Sequence, residues 1–223
     1  MLKKLHFAVL SAVFLPALAT ASPSVCGAIS GNLVANCGFE TGDFTSWTES
    51  GSLGYNFVAP AASVAPNFAN SGNFGAQLGP IGTPGDPTTY GYLSQALATT
   101  PGRTYSLTYY LDNPSSDGDN APSVFQASWN GSVIPGSVQN PVPELDNFVK
   151  YTFNGLTASS SSTVLEFGFL QNPAYLGLDD ISVVASAASS AAEPGGYFVL
   201  LAAGFAAMLF IRYRRAQRIA QRI

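Results

Sequence analysis

Residues 103–111 read Arg-Thr-Tyr-Ser-Leu-Thr-Tyr-Tyr-Leu. In an extended chain Tyr105, Leu107, Tyr109 and Leu111 share one face, with Tyr110 on the other, which is the period-two signature of a half-buried strand. The same reading works outward to Val124–Trp129, to Phe148–Phe153 with Val149, Tyr151 and Phe153 on one side, and to Val164–Leu170 with Leu165, Phe167 and Phe169. Weaker candidates are Asn32–Val34, Tyr55–Ala59, Phe74–Leu78, Tyr90–Leu97 and Leu176–Val184. Clusters of Gly, Pro, Asn and Ser separate these runs, and no stretch keeps a 3.6-residue apolar period for ten residues. The fold class is therefore all-β, and about nine strands with one inward face each predict a two-sheet antiparallel sandwich.

Charge narrows the function. The chain has 223 residues and only 10% charged side chains. Residues 22–192 hold two basic side chains, Arg103 and Lys150, against twelve acidic ones, a net of −10. Nucleic acid is excluded as a partner, because neutralising phosphates takes clustered Lys and Arg. The one histidine, His6, lies in a segment expected to be removed, so the mature chain has no Ser-His-Asp or Cys-His arrangement and no His-ligated zinc.

Both ends read as addresses. Met1 to Lys4 is basic, Leu5 to Leu18 is mostly apolar, and Ala19-Thr20-Ala21 gives the small residues of a cleavage site, so residues 1–21 are expected to be a signal peptide. Residues 22–184 form the expected sandwich domain, followed by an Ala/Ser linker at 185–192. The final segment, 193–223, begins with Glu193-Pro194-Gly195, runs without a charge from Tyr197 to Ile211, and ends in a basic tail with Arg212, Arg214 and Arg215. Fifteen apolar residues lie at the short limit for one transmembrane helix across a hydrocarbon core of ~30 Å, and the arginines would stay on the cytoplasmic side.

This order of motif, span and arginine cluster resembles the PEP-CTERM sorting signal of envelope proteins, with Ala192 where that family shows its first proline. The resemblance implies recognition by an exosortase-type membrane enzyme, and an exported protein of the cell envelope, anchored by its C-terminus with the domain outside the cytoplasm or released to the matrix.

Cys26 and Cys37 would meet an oxidising compartment after export, where a disulfide is the economical reading and two free thiols the alternative. Cys37 lies inside Asn32-Leu33-Val34-Ala35-Asn36-Cys37-Gly38-Phe39-Glu40, with Gly42-Asp43-Phe44 and Trp47 beyond; near the far end stands Leu178-Asp179-Asp180-Ile181-Ser182-Val183. The two pieces resemble the opening and closing segments of jelly-roll domains with a galactose-binding-like fold, among them family-4-type carbohydrate-binding modules. Leu178 and Ile181 are three apart, so both can point inward only across a bulge at Asp179-Asp180. In the related modules the acids of these two motifs hold a structural calcium, which carries over to Glu40 and Asp179, with carbonyls of the turn 70–73 as further contributors. A hard cation of six to eight oxygen ligands suits two acids brought together outside the cell; acids capping turns are the alternative.

A sugar site needs flat aromatic faces and hydroxyl-binding amides or carboxylates. Tyr90, Tyr92, Tyr110 and Trp129 are the candidates for stacking, with Gln95, Gln126 and Asn130 for hydrogen bonding, against the alternative that strand aromatics pack the core. The reading that joins these features is a non-catalytic, membrane-tethered domain that binds extracellular polysaccharide. A structural or adhesive surface protein without a sugar site is the second reading. A glycoside hydrolase using two of Glu40, Glu49, Glu144 and Glu166 is the third.

Overall fold

The computed structural model describes residues 23–62, 66–79, 82–83, 86–114, 123–145, 147–171, 174–187 and 214. The chain divides into two compact units, Met1–Ser186 and Ala187–Ile223. Of the second, Arg214 is described as helical and exposed. Among the described residues no helix is long and apolar enough to cross a membrane. The signal peptide at 1–21, the span at 197–211, and Glu193, Pro194, Gly195, Arg212 and Arg215 lie outside the described residues.

Ten strands follow in chain order: β1 (Thr48–Gly51), β2 (Phe57–Pro60), β3 (Phe74–Leu78), β4 (Gly91–Ala98), β5 (Thr104–Asp112), β6 (Ser123–Trp129), β7 (Ser132–Val133), β8 (Val149–Thr157), β9 (Ser162–Gln171) and β10 (Leu176–Ala185). They form two antiparallel sheets of five: sheet I in the order β1-β4-β9-β6-β7 and sheet II in the order β2-β3-β10-β5-β8. From β3 onward the chain passes between the sheets at nearly every connection, the winding of a jelly roll. The expected sandwich is thus present. Short 3₁₀ turns at Cys26–Ala28 and Pro87–Thr89 are the other elements described.

The strand of residues 103–111 occupies its expected place as β5, with Tyr105, Leu107, Tyr109 and Leu111 all buried. Tyr109 sits at the middle of the aromatic core, 5.4 Å from the Phe125 and Tyr151 ring centroids and 5.3 Å from Phe167. Its hydroxyl makes no hydrogen bond among the described residues, and burial with the neighbouring Tyr151 pushes the phenol far above its usual range. Each such fully buried large side chain contributes about 1.5–3 kcal/mol through lost apolar exposure.

The opening segment departs from expectation. Asn32–Val34 forms no strand, because the Asn32 side chain takes over backbone pairing: its Oδ1 accepts from Val34 N and Val183 N, and its Nδ2 donates to the carbonyls of Cys26 and Ile181. Only Leu33 N to Val183 O, at 2.9 Å, and Ile181 N to Cys37 O, at 2.9 Å, join this segment to β10 backbone to backbone. An Asn that supplies both donor and acceptor to neighbouring backbone offers the chain an alternative to a ladder. Cys26 and Cys37 form a disulfide within the same segment. Asp112 is the buried last residue of β5.

Candidate functional site

Two groups of residues carry the chemistry, one at the bulge of β10 and one on the outer face of sheet I.

The bulge falls where Leu178 and Ile181 require it. The register shifts between Asp179 and Ser182, Asp180 adopts a φ of +48°, and Leu178 and Ile181 are both fully buried. The extra residue turns both aspartates toward the loop 70–73 and the N-terminal segment. Asp179 Oδ2 accepts from the amides of Asn70 at 2.7 Å and Ser71 at 3.1 Å, and its Oδ1 from the amide of Asp180. Asp180 accepts from Ser24 Oγ, Cys26 N, Asn70 Nδ2 and Ser71 Oγ, all between 2.6 and 3.1 Å. Glu40 meets the other end of the same loop, accepting from Asn73 N at 3.0 Å and from Phe74 N at 3.4 Å. Gly72 is needed there, since its φ is +72° and a side chain would collide with the Glu40 carboxylate.

The structure thus brings Glu40, Asp179 and Asp180 to one loop, which presents amide N–H groups to Asp179 and Glu40 where carbonyls of the turn 70–73 were expected. Among the described residues these carboxylates accept from N–H and O–H donors and from no Lys or Arg. Burial, then the charge of Asp180, push Asp179 up to about 8 against the pull of the Ser71, Asp180 and Asn70 amides. Among the described residues no three His, Cys, Asp or Glu side chains converge as a metal-ligand group.

The outer face of sheet I follows from strand register. One row across it reads Ser50, Tyr92, Gly168, Gln126, and the next reads Thr48, Ser94, Glu166, Ser128. Tyr92 lies across Gly168, where an added Cβ would stand 2.9 Å from its Cε1 and 3.2 Å from the Gln126 side chain. The missing side chain lets the Tyr92 ring and the Gln126 side chain close over Gly168, which is buried beneath them. Glu166 in the adjoining row is near enough for its charge to raise the Tyr92 phenol, after burial and ahead of Tyr90. Tyr90 is buried with Val124 and Leu170 in a small apolar cluster that Tyr92 borders, and its ring centroid lies 6.4 Å from that of Tyr92. One aromatic face, an amide, a carboxylate and Ser94 thus share one face, with Ser128 buried in the row beside them, a few polar groups placed around an apolar one.

Not every expected aromatic joins them. Trp129 is a core residue: it packs on Tyr105 at 5.9 Å and its indole N–H donates to Thr157 O. Alternation along β6 points it inward, as it does the other buried rings. Tyr110 pairs with Asp179 and Lys150, which places it on the outer face of sheet II, away from Tyr92. Gln95 faces inward and is held by Ala35 and Ser46, while Asn130 sits in the β6–β7 turn bonded to Ser159. Sequence reasoning missed Gly168, Ser94 and Ser128, and weighed Glu166 as one of four glutamates of a hydrolase without the tyrosine beside it. Alternation along β4, β6 and β9 carries the signal, but the register that aligns them does not show in one strand alone.

No protein-family model matches this sequence, and neither does any curated protein sequence. Solved structures do match by fold. TmCBM61, solved in complex with beta-1,4-galactotriose, superposes with a TM-score of 0.52 at 16% identity, over 70% of this chain and 100% of that one. The fold resembles that of carbohydrate-binding modules. The Stig cyclase Fisc of Fischerella sp. TAU superposes with a TM-score of 0.51 at 16% identity, over 76% of this chain and 100% of that one. A family 16 carbohydrate-binding module matches at a TM-score of 0.45 and 17% identity, over 69% of this chain and 99% of that one. A module-like jelly roll therefore serves both binding and catalysis, and the fold alone does not choose between them.

Proposed function

We propose that the sandwich domain is a non-catalytic binder of extracellular polysaccharide, and that its ligand face is the outer surface of sheet I around Tyr92. The observation that carries this reading is the row Tyr92-Gly168-Gln126 with Glu166, Ser94 and Ser128 beside it. A pyranose seated on the Tyr92 ring would have an amide, a carboxylate and hydroxyls within reach of its own hydroxyls. The fold shared with TmCBM61, and the galactotriose in that complex, support the same reading and make β-1,4-galactan the first polymer to try.

The non-catalytic part of the proposal rests on where the glutamates lie. Glu49 pairs with Leu93 and faces into the sandwich edge, Glu166 faces out between Ser94 and Ser128, and Glu40 is bonded to the loop 70–73. A glycosidase needs two carboxyls roughly 5 to 9.5 Å apart across one sugar. Glu49 and Glu166 lie on opposite faces of one sheet.

A structural calcium held by Glu40 and Asp179 is a second and separate proposal. It is supported by the burial of Asp179 beside Asp180 with no basic side chain among the described residues bonded to either, a charge that a hard cation would balance. The amides now bonded to both acids are what it would compete with. Export, tethering through 193–223 and processing by an exosortase-type enzyme complete the proposal, on the strength of the terminal motifs alone.

The test is titration of the purified chain against β-1,4-galactan, xylan and other neutral polysaccharides, with calcium and with chelator. Saturable binding lost in Tyr92→Ala, with the melting temperature unchanged, is the expected result. No binding by well-folded protein would leave the structural or adhesive role. A melting temperature that does not rise with calcium would dismiss the cation.

A further inference from the structure

Strand register puts hydroxyls, small apolar residues, Tyr92 and Gln126 on the outer face of sheet I, and among the described strand residues a single charged side chain, Glu166. Glu166 stands half-buried on β9, the middle strand of the sheet, between Ser94 on β4 and Ser128 on β6. Tyr92 is its diagonal neighbour, within reach of a long side chain, and feels its charge. Other acids of the domain are engaged by N–H and O–H donors: Asp43 by Thr41 and Thr45, Asp86 by Thr88, and Glu40, Asp179 and Asp180 at the loop 70–73. Among the described residues no hydrogen bond or ion pair holds the Glu166 carboxylate. The charge at the centre of the proposed ligand face is therefore the uncommitted one.

A neutral polymer laid across β4, β9 and β6 would take this carboxylate out of water and bring no countercharge. The domain supplies none either, since of the two basic residues in 22–192 Arg103 adjoins β5 and Lys150 lies in β8, both strands of sheet II. An acidic polymer would add like charge to a stretch that already carries a net of −10. An ammonium group answers both problems, because it balances Glu166 on contact and is drawn in by the charge of the whole domain. The spacing suits one sugar unit. Gly168, beneath the Tyr92 ring, and Glu166 are two residues apart on β9, about 6.6 Å along the strand. A pyranose seated on Tyr92 thus carries a ring substituent toward Glu166, where an ammonium also stays near the ~6 Å range of attraction to a tyrosine face. Gln126, across Gly168 from Tyr92, is left for the neutral hydroxyls.

We infer that the outer face of sheet I selects a polymer of free amino sugars, a pyranose ring seated on Tyr92 and its ammonium group paired with Glu166. The inference rests on the polysaccharide reading above and adds to it the chemical class of the sugar.

The experiment uses the full chain in mild detergent and reads the affinity ratio between the β-1,4-glucosamine hexamer and its N-acetylated counterpart. The β-1,4-galactan hexamer, polygalacturonate and polylysine are the further probes. At a pH that keeps the amines protonated, wild type is expected to hold the glucosamine hexamer at least ~10-fold more tightly than either neutral hexamer. Raising the pH until the amines are neutral should remove that preference, a readout that needs no variant. Glu166→Gln should abolish it, whereas Glu144→Gln, which removes the same charge outside the strands of this face, should keep it. Neutral hexamers bound as tightly as the amine, a preference that survives Glu166→Gln or neutral amines, tighter binding of polygalacturonate, or polylysine that displaces the hexamer equally well would overturn the inference and leave the binding reading standing. Failure of wild type to bind any of these glycans would overturn both together.

Discussion

Single residues on this sandwich make opposite demands on stability and on binding. Tyr109 packs against four aromatic rings, yet its hydroxyl is buried without a partner among the described residues, so Tyr109→Phe should raise stability by about 1 kcal/mol in chemical denaturation. Loss of stability in that variant would show that the hydroxyl is paired after all. Gly168 is the reverse case. Gly168→Ala should weaken polysaccharide binding by displacing Tyr92 and Gln126, at a stability cost of about 1–3 kcal/mol from the crowding, read by titration and by thermal melting. Asp179 gives a pH signature. Its carboxyl is pushed from 3.8 up to about 8, so between those values the folded chain holds a proton that the unfolded chain has released. Stability from this group is complete below about pH 4 and is lost as pH rises toward 8. In chelator, the melting temperature of wild type relative to Asp179→Asn should therefore fall across that window, and a difference that stays flat would refute the shift.

At the scale of elements, β10 and its bulge organise the part of the domain that the sequence motifs mark. Asn32 bonds four backbone groups, two of them on β10, and Asn32→Ala should cost about 2–4 kcal/mol because those groups lose their partners inside the protein. Replacing both cysteines with serine should cost about 3 kcal/mol by the loop-entropy model, measured against the reduced wild type as control. The strands were legible where alternation was strict: β5 and β9 lie within two residues of their expected bounds, and the bulge at Asp179-Asp180 followed from the three-residue spacing of Leu178 and Ile181 alone. Asn32–Val34 misled because its apolar residues suggest a strand while its asparagine satisfies the backbone by itself. Strand β1, Thr48–Gly51, went unseen because four residues, three of them exposed, carry no apolar alternation. The proposed ligand face was half legible. Tyr92 and Gln126 stood out by residue type, but Gly168, Ser94 and Ser128 acquire a role only when β4, β9 and β6 are set in register, which is a long-range fact.

For the whole molecule, the proposed tether determines how a bound polymer would load the domain. The linker continues directly from β10, and the last backbone bond before it joins Ser186 N to Thr104 O. Strand β10 is the middle strand of sheet II, paired with β3 on one side and β5 on the other, and it also holds the disulfide-closed N-terminal segment. A pull between an anchored C-terminus and a glycan on sheet I would therefore try to slide a central strand lengthwise past two neighbours, breaking many bonds at once instead of peeling an edge strand bond by bond. Under the proposed tether, the domain would bear tension along its anchor line. Single-molecule pulling from residue 187 should show a high rupture force that drops when Asn32 is replaced, and a low force unaffected by that change would show that the load runs elsewhere.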